Sequence, residues 1–98
     1  MIERVVIRPL AKRDIRDARI WYRKISPLLG DRFLDAVDSA IARAKDQPLA
    51  YQIVHRTFRR LLLHRFPYAL FFHAAEDRIV VVAVLHQARD PDVLAERR

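Results

Sequence analysis

The stretch "VVVAVLHQARDP", residues 80–91, decides the fold. Its apolar residues run without a break and then give way to His86, Gln87, Arg89, Asp90 and Pro91. An apolar run that does not alternate suits a strand covered on both faces. "IVVVAVLH" (79–86) is therefore the strongest strand of the chain and is expected at the centre of its sheet. The question it raises is why such a strand should end in an imidazole and a guanidinium.

Moving toward the N-terminus, "YALFFHA" (68–74) reads as the preceding strand, with "EDR" as a turn that lacks the glycine a tight hairpin prefers. Pro67 separates it from "FRRLLLHRF" (58–66), a strand with Leu61 and Leu63 on one face and His64 on the other. "YQIVH" (51–55) is a short strand or a loop. Before that the period changes. Leu29, Phe33, Val37, Ala40 and Ala44 line one face of a helix that starts at Ser26 (N-cap) and Pro27 and ends at Pro48. From Leu10, the stripe Ala11, Ile15, Ala18, Tyr22 and Ile25 marks an earlier helix. So short a connection predicts an antiparallel hairpin of helices. "ERVVIRP" (3–9) is a first strand stopped by Pro9. The reading is one α+β domain over residues 1–98, of order β-α-α-β-β-β, its helical hairpin covering an antiparallel sheet.

Nineteen Lys and Arg against twelve Asp and Glu leave a net charge of +7, and only Lys12, Lys24 and Lys45 are lysines. A charge of this density attracts polyanions or an acidic protein partner, and arginine favours planar contacts with carboxylate or phosphate. An arginine-rich composition without a binding role is the alternative. Cysteine is absent, which excludes a disulfide or thiolate metal site and fits a reducing compartment. The opening "MIERVVIRPLAKRD" has no apolar leader core, and nothing later approaches a membrane span, so a cytoplasmic protein is expected.

Catalytic signatures are missing. There is no H-x-x-x-H pair, carboxylate cluster or glycine-flanked serine, and the one glycine, Gly30, excludes a phosphate-cradling glycine loop. His55, His64, His73 and His86 are too scattered for a metal set, so neither metal nor cofactor is expected. What remains is a row of cations at strand ends: Arg59, Arg60, His64, Arg65, His73 and Arg89. Rim cations ordinarily snorkel into water, which is the reading for His64 and Arg78. His86 and Arg89 differ, because a donor-rich turn leaving a central strand can hold an anion. Asp90 either pairs with Arg89 or caps a short turn before "VLAERR". Lys12, Arg16, Arg19 and Arg23 share a helix stripe, which is a solvated face or a binding face.

"RRLLLHRFPYALFFHAAEDRIVVVAVLHQARDP" resembles the C-terminal half of RelE/ParE toxins of bacterial type II toxin–antitoxin modules, nearest the ParE-like plasmid-stabilisation branch. The resemblance rests on the Arg-rich strand into "RFPY", the acidic turn "AED", the run "IVVVAVLH" and the "H-Q-x-R-D-P" ending. Upstream, "PLAKRDIRDARIWY" and "PLLGDRFLDAVDSAI" resemble the family's helical hairpin. It implies a helical hairpin packed on a small curved antiparallel sheet. It also implies a growth-inhibiting toxin wrapped by the acidic C-terminal segment of a cognate antitoxin, in a hetero-oligomer, through coupled folding onto a basic, partly apolar groove.

On the ParE-like reading the target is DNA gyrase, bound without catalysis. Arg16, Arg23, Arg60, Arg65, Tyr68, His73, His86 and Arg89 are the expected antitoxin or target contacts. On the RelE-like alternative the protein cleaves mRNA on the ribosome, with Arg59, Arg65, His86 and Arg89 as candidate catalytic residues. The sequence departs from that pattern: no lysine follows Lys45, Tyr68 is the last tyrosine, and His86 is followed by Gln87. A small basic nucleic-acid-binding module is a third possibility that rests on charge alone.

Overall fold

Two helices, α1 (Pro9–Ile25) and α2 (Pro27–Asp46), form the predicted hairpin in the computed structural model, which describes residues 2–98. Ser26 alone joins them. It is extended at φ −162°, closing α1 by donating its N–H to the Tyr22 carbonyl and opening α2 as N-cap. Its hydroxyl makes no capping bond, contrary to the expected role. The hairpin packs through Ala11, Ala18, Tyr22, Phe33, Val37, Ala40 and Ala44. Ile25, expected on that stripe, is instead exposed, because α1 ends there and runs past the core. Pro9 does more than stop a strand; it supplies N1 of α1.

The strands are β1 (Arg4–Ile7), β2 (Ile53–His55), β3 (Phe58–Leu62), β4 (Tyr68–Ala74) and β5 (Arg78–His86), with short 3-10 segments at Pro48–Ala50 and Pro91–Glu96. They form one sheet in the order β1-β5-β4-β3-β2. The α+β class and the element order hold, with two differences from the sequence reading. "YQIVH" contributes a fifth strand, and β1 pairs with β5 in parallel, so the sheet is mixed. The helical hairpin between β1 and the later strands is a connection long enough to return the chain in the same direction. The β4–β5 turn is tight even without glycine, the Ala75 N–H reaching the Arg78 carbonyl at 2.9 Å.

Both faces of β5 are covered, as its composition required. Ile79, Val81 and Val84 meet the helices, alongside Leu61, Leu63, Phe66, Leu70 and Phe72. Val80, Val82, Ala83 and Leu85 meet Phe58, Phe71 and Leu94 of the Pro91–Glu96 segment.

Between β2 and β3 only Arg56 and Thr57 turn the chain, and Arg56 has φ 51°. Left-handed backbone costs a side-chain-bearing residue about 1–2 kcal/mol and glycine far less. Arg56→Gly is expected to raise unfolding stability by roughly 0.5–1 kcal/mol after glycine's larger unfolded-state entropy is deducted. Urea denaturation would check this; an unchanged or lower midpoint would mean that the arginine side chain compensates for its backbone.

Candidate functional site

His86 reaches its position through a β-bulge. Phe71 is opposite Ala83 and Phe72 is opposite Val81, so Val82 has no partner on β4. One extra residue reverses the side-chain alternation of everything after it. Val82 and Ala83 therefore share the face away from the helices, and Val84 returns to the helix face. Two residues on, His86 stands opposite Tyr68, ring to ring at 5.2 Å and nearly perpendicular.

The turn after His86 is pinned by its backbone. Gln87 N–H donates to the Pro67 carbonyl at 2.8 Å and Arg89 N–H to the His86 carbonyl at 2.9 Å. The Ala88 N–H donates to His86 Nδ1 at 3.0 Å, leaving Nε2 to carry the proton of the neutral ring. Asp90 resolves to a cap: its Oδ1 accepts from the Asp92 N–H at 2.9 Å.

A cleft of about 650 Å³ lies between α1 and the adjoining ends of β4 and β5. Trp21, Tyr22, Pro67 and Tyr68 form its apolar wall, His86 and Arg89 stand on its rim, and the carboxylates of Asp14 and Asp17 line it as well. Trp21 is 58% exposed, its ring edge-on to Tyr22 at 5.2 Å. Tyr22 in turn belongs to an aromatic cluster with Phe33, Phe66 and Tyr68. On the other face of the sheet a depression of about 460 Å³ is bordered by His55, Arg60 and, again, His86 and Arg89. The His86–Arg89 turn is thus a ridge between two concavities.

Burial raises the pKa of the Tyr22 phenol. It raises that of Tyr68 too, and the neighbouring Tyr22 adds to the effect. Both phenols are neutral donors at pH 7, which disqualifies Tyr68 as a base. Each folded-state pKa lies above the unfolded one, so their contribution is intact below about pH 10 and is lost as pH climbs through the folded value. Thermal melts from about pH 8 to about pH 11 should show Tm falling above pH 10, and Tyr68→Phe should flatten that fall. An equal slope in the variant would contradict the assignment.

The other sequence-predicted residues are spread over the molecule. Arg60 joins His86 and Arg89 on the sheet face away from the helices. Arg59 donates to the Tyr51 carbonyl at 2.8 Å, beside β2. Arg65, with φ 68°, lies with His64 and Arg32 in a groove between the β3–β4 loop and α2. His73 is bonded to Thr57 Oγ1 at 2.9 Å. Arg16 and Arg23 border a groove between the helices with Ile15, Ile20, Leu34 and Asp38. The structure therefore brings together Tyr68, His86 and Arg89, with Arg60 behind them. Arg59, Arg65, His73, Arg16 and Arg23 stand apart from that group.

Sequence reasoning missed three participants. Trp21 sits one position off the Ala18–Tyr22 stripe, and a lone tryptophan on the polar side of an amphipathic helix was the available signal. His55 borders the far depression with an Nε2 that is buried and unpartnered. Arg97, 7% exposed, makes two hydrogen bonds to Asp14, at 2.7 and 3.0 Å. No group of three metal-ligating side chains occurs among the described residues, and no described helix is long and apolar enough to cross a membrane.

Comparison with known proteins agrees with this architecture. The family model described as ParE toxin of type II toxin-antitoxin system, parDE, matches residues 5–91. Among solved structures, the fold is similar to a chain of the chromosomal ParDE TA system from P. aeruginosa. The TM-score is 0.61 at 15% identity, covering 87% of this chain and 96% of that one. No curated protein matches.

Proposed function

Since this chain belongs to the ParE toxin family of type II toxin–antitoxin systems, we propose that it arrests growth by binding a protein target, DNA gyrase, without catalysing a reaction. The observation that carries this is the cleft where the Trp21–Tyr68 wall meets the His86–Arg89 rim. An exposed aromatic anchor beside an arginine is the composition of a protein-binding hot spot. The same cleft suits the acidic, amphipathic C-terminal segment of a cognate antitoxin, which would neutralise the toxin in a cytoplasmic hetero-oligomer.

The nuclease alternative draws less support. Cleavage through a 2′-hydroxyl needs a base, an acid and cations around one phosphate. Arg59 is engaged with the Tyr51 carbonyl and Arg65 belongs to the groove beside α2. The lone pair of His86 Nδ1 is taken up by the Ala88 N–H and is not free to accept a proton from a substrate hydroxyl.

Induced expression in bacteria separates the readings. Filamentation with DNA-damage signalling and intact mRNA is the expected result. Rapid codon-biased mRNA cleavage would favour the ribosome-dependent nuclease, and undisturbed growth would count against both.

A further inference from the structure

We propose that Asp14 and Arg97 are positioning residues for the His86–Tyr68 cleft, acting through the β5 bulge. β1 flanks β5 only as far as Ile7 opposite Val81, with Arg8 N–H to the Val81 carbonyl as the last rung at 3.0 Å. The bulged residue follows immediately. Its irregular backbone has groups that the neighbouring strands do not pair, and buried backbone groups must find partners.

Asp14 and Arg97 provide them. The Val82 carbonyl accepts from Arg97 Nη1 at 3.0 Å, and the Val84 N–H donates to Asp14 Oδ2 at 3.0 Å. The two side chains close on each other through the bidentate contact, at side-chain exposures of 12% for Asp14 and 8% for Arg97. One buried pair thus grips β5 on both sides of Ala83, from α1 and from the segment after Glu96.

The consequence for the site follows from the period of a strand. Without the bulge, alternation from Val81 would carry His86 to the opposite face, away from Tyr68 and Trp21. What holds the bulge therefore decides which concavity His86 serves. This use of the cleft rests on the binding function proposed above; the effect on His86 geometry does not.

The test replaces the pair with apolar residues of similar volume, Asp14→Leu with Arg97→Met, an exchange that buried ion pairs often tolerate without loss of fold. The first readout is the nuclear Overhauser contact between the His86 and Tyr68 rings, which wild type should show at a 5.2 Å centroid separation. The expected result is a folded double variant in which this contact weakens at least several-fold, together with loss of growth arrest on induction. Arg97→Lys, which keeps one hydrogen bond to Asp14, should restore part of both.

A folded double variant with the ring contact at wild-type intensity would overturn the proposal, whatever its toxicity. Loss of the contact with growth arrest intact would uphold the positioning of His86 and remove the cleft from the toxic function. Should the double variant not fold, Asp14→Asn supplies the same measurement, since it removes the carboxylate charge and sets an amide NH2 where Oδ1 now accepts from Arg97 Nη2; an unchanged ring contact there would equally refute the idea.

Discussion

Asp14→Ala is expected to lower unfolding stability by about 3–5 kcal/mol. Removing one partner of a buried pair leaves the other charge uncompensated, and here the Val84 N–H loses its acceptor as well. The double change to leucine and methionine should be milder than the single alanine, since no charge is then stranded. Urea denaturation of the variants gives the comparison. An alanine variant within about 1 kcal/mol of wild type would mean that the pair contributes no more than an exposed one.

Trp21→Ala should weaken partner binding by about 2 kcal/mol or more, roughly thirtyfold in Kd, against the cognate antitoxin that the family implies. Stability should change little, within about 0.5 kcal/mol, because most of the ring already faces solvent. A cleft built on a buried aromatic floor, with one aromatic left out, concentrates binding energy in that residue. Calorimetric titration of wild type and variant against the purified antitoxin measures it. Affinity preserved within threefold would exclude Trp21 as the anchor.

Much of the fold was legible because single residues punctuate it. Pro9, Pro27, Pro48 and Pro67 each fall at an element boundary, and the unbroken 79–86 run announced a strand covered on both faces. The bulge was illegible for the same reason. When every residue from Ile79 to Leu85 is apolar, a one-residue shift in period leaves no trace, so the face that His86 takes could not be read. The parallel partner of β5 was hidden too, because strand direction is set by the connection and not by the strand's own residues.

The site was legible in part. His86 and Arg89 stood out as polar groups leaving an apolar strand, and Tyr68 met them because antiparallel pairing brings the start of β4 to the end of β5. Arg97 looked like one more charge in a basic tail, and only its burial against Asp14 sets it apart. Residues such as His73 and Arg59 shared the sequence signal of a strand-end cation yet are engaged locally, with Thr57 and with the Tyr51 carbonyl.

The most direct measurement is side-chain oxidation footprinting of the protein alone and in complex with its antitoxin. Protection of Trp21, Tyr68 and His86, with Leu49 and Tyr51 at the far end of the sheet unchanged, is the expected pattern. Protection confined to the groove between the helices or to the Pro48–Ala50 end, with Trp21 as reactive as before, would contradict the assignment of the cleft.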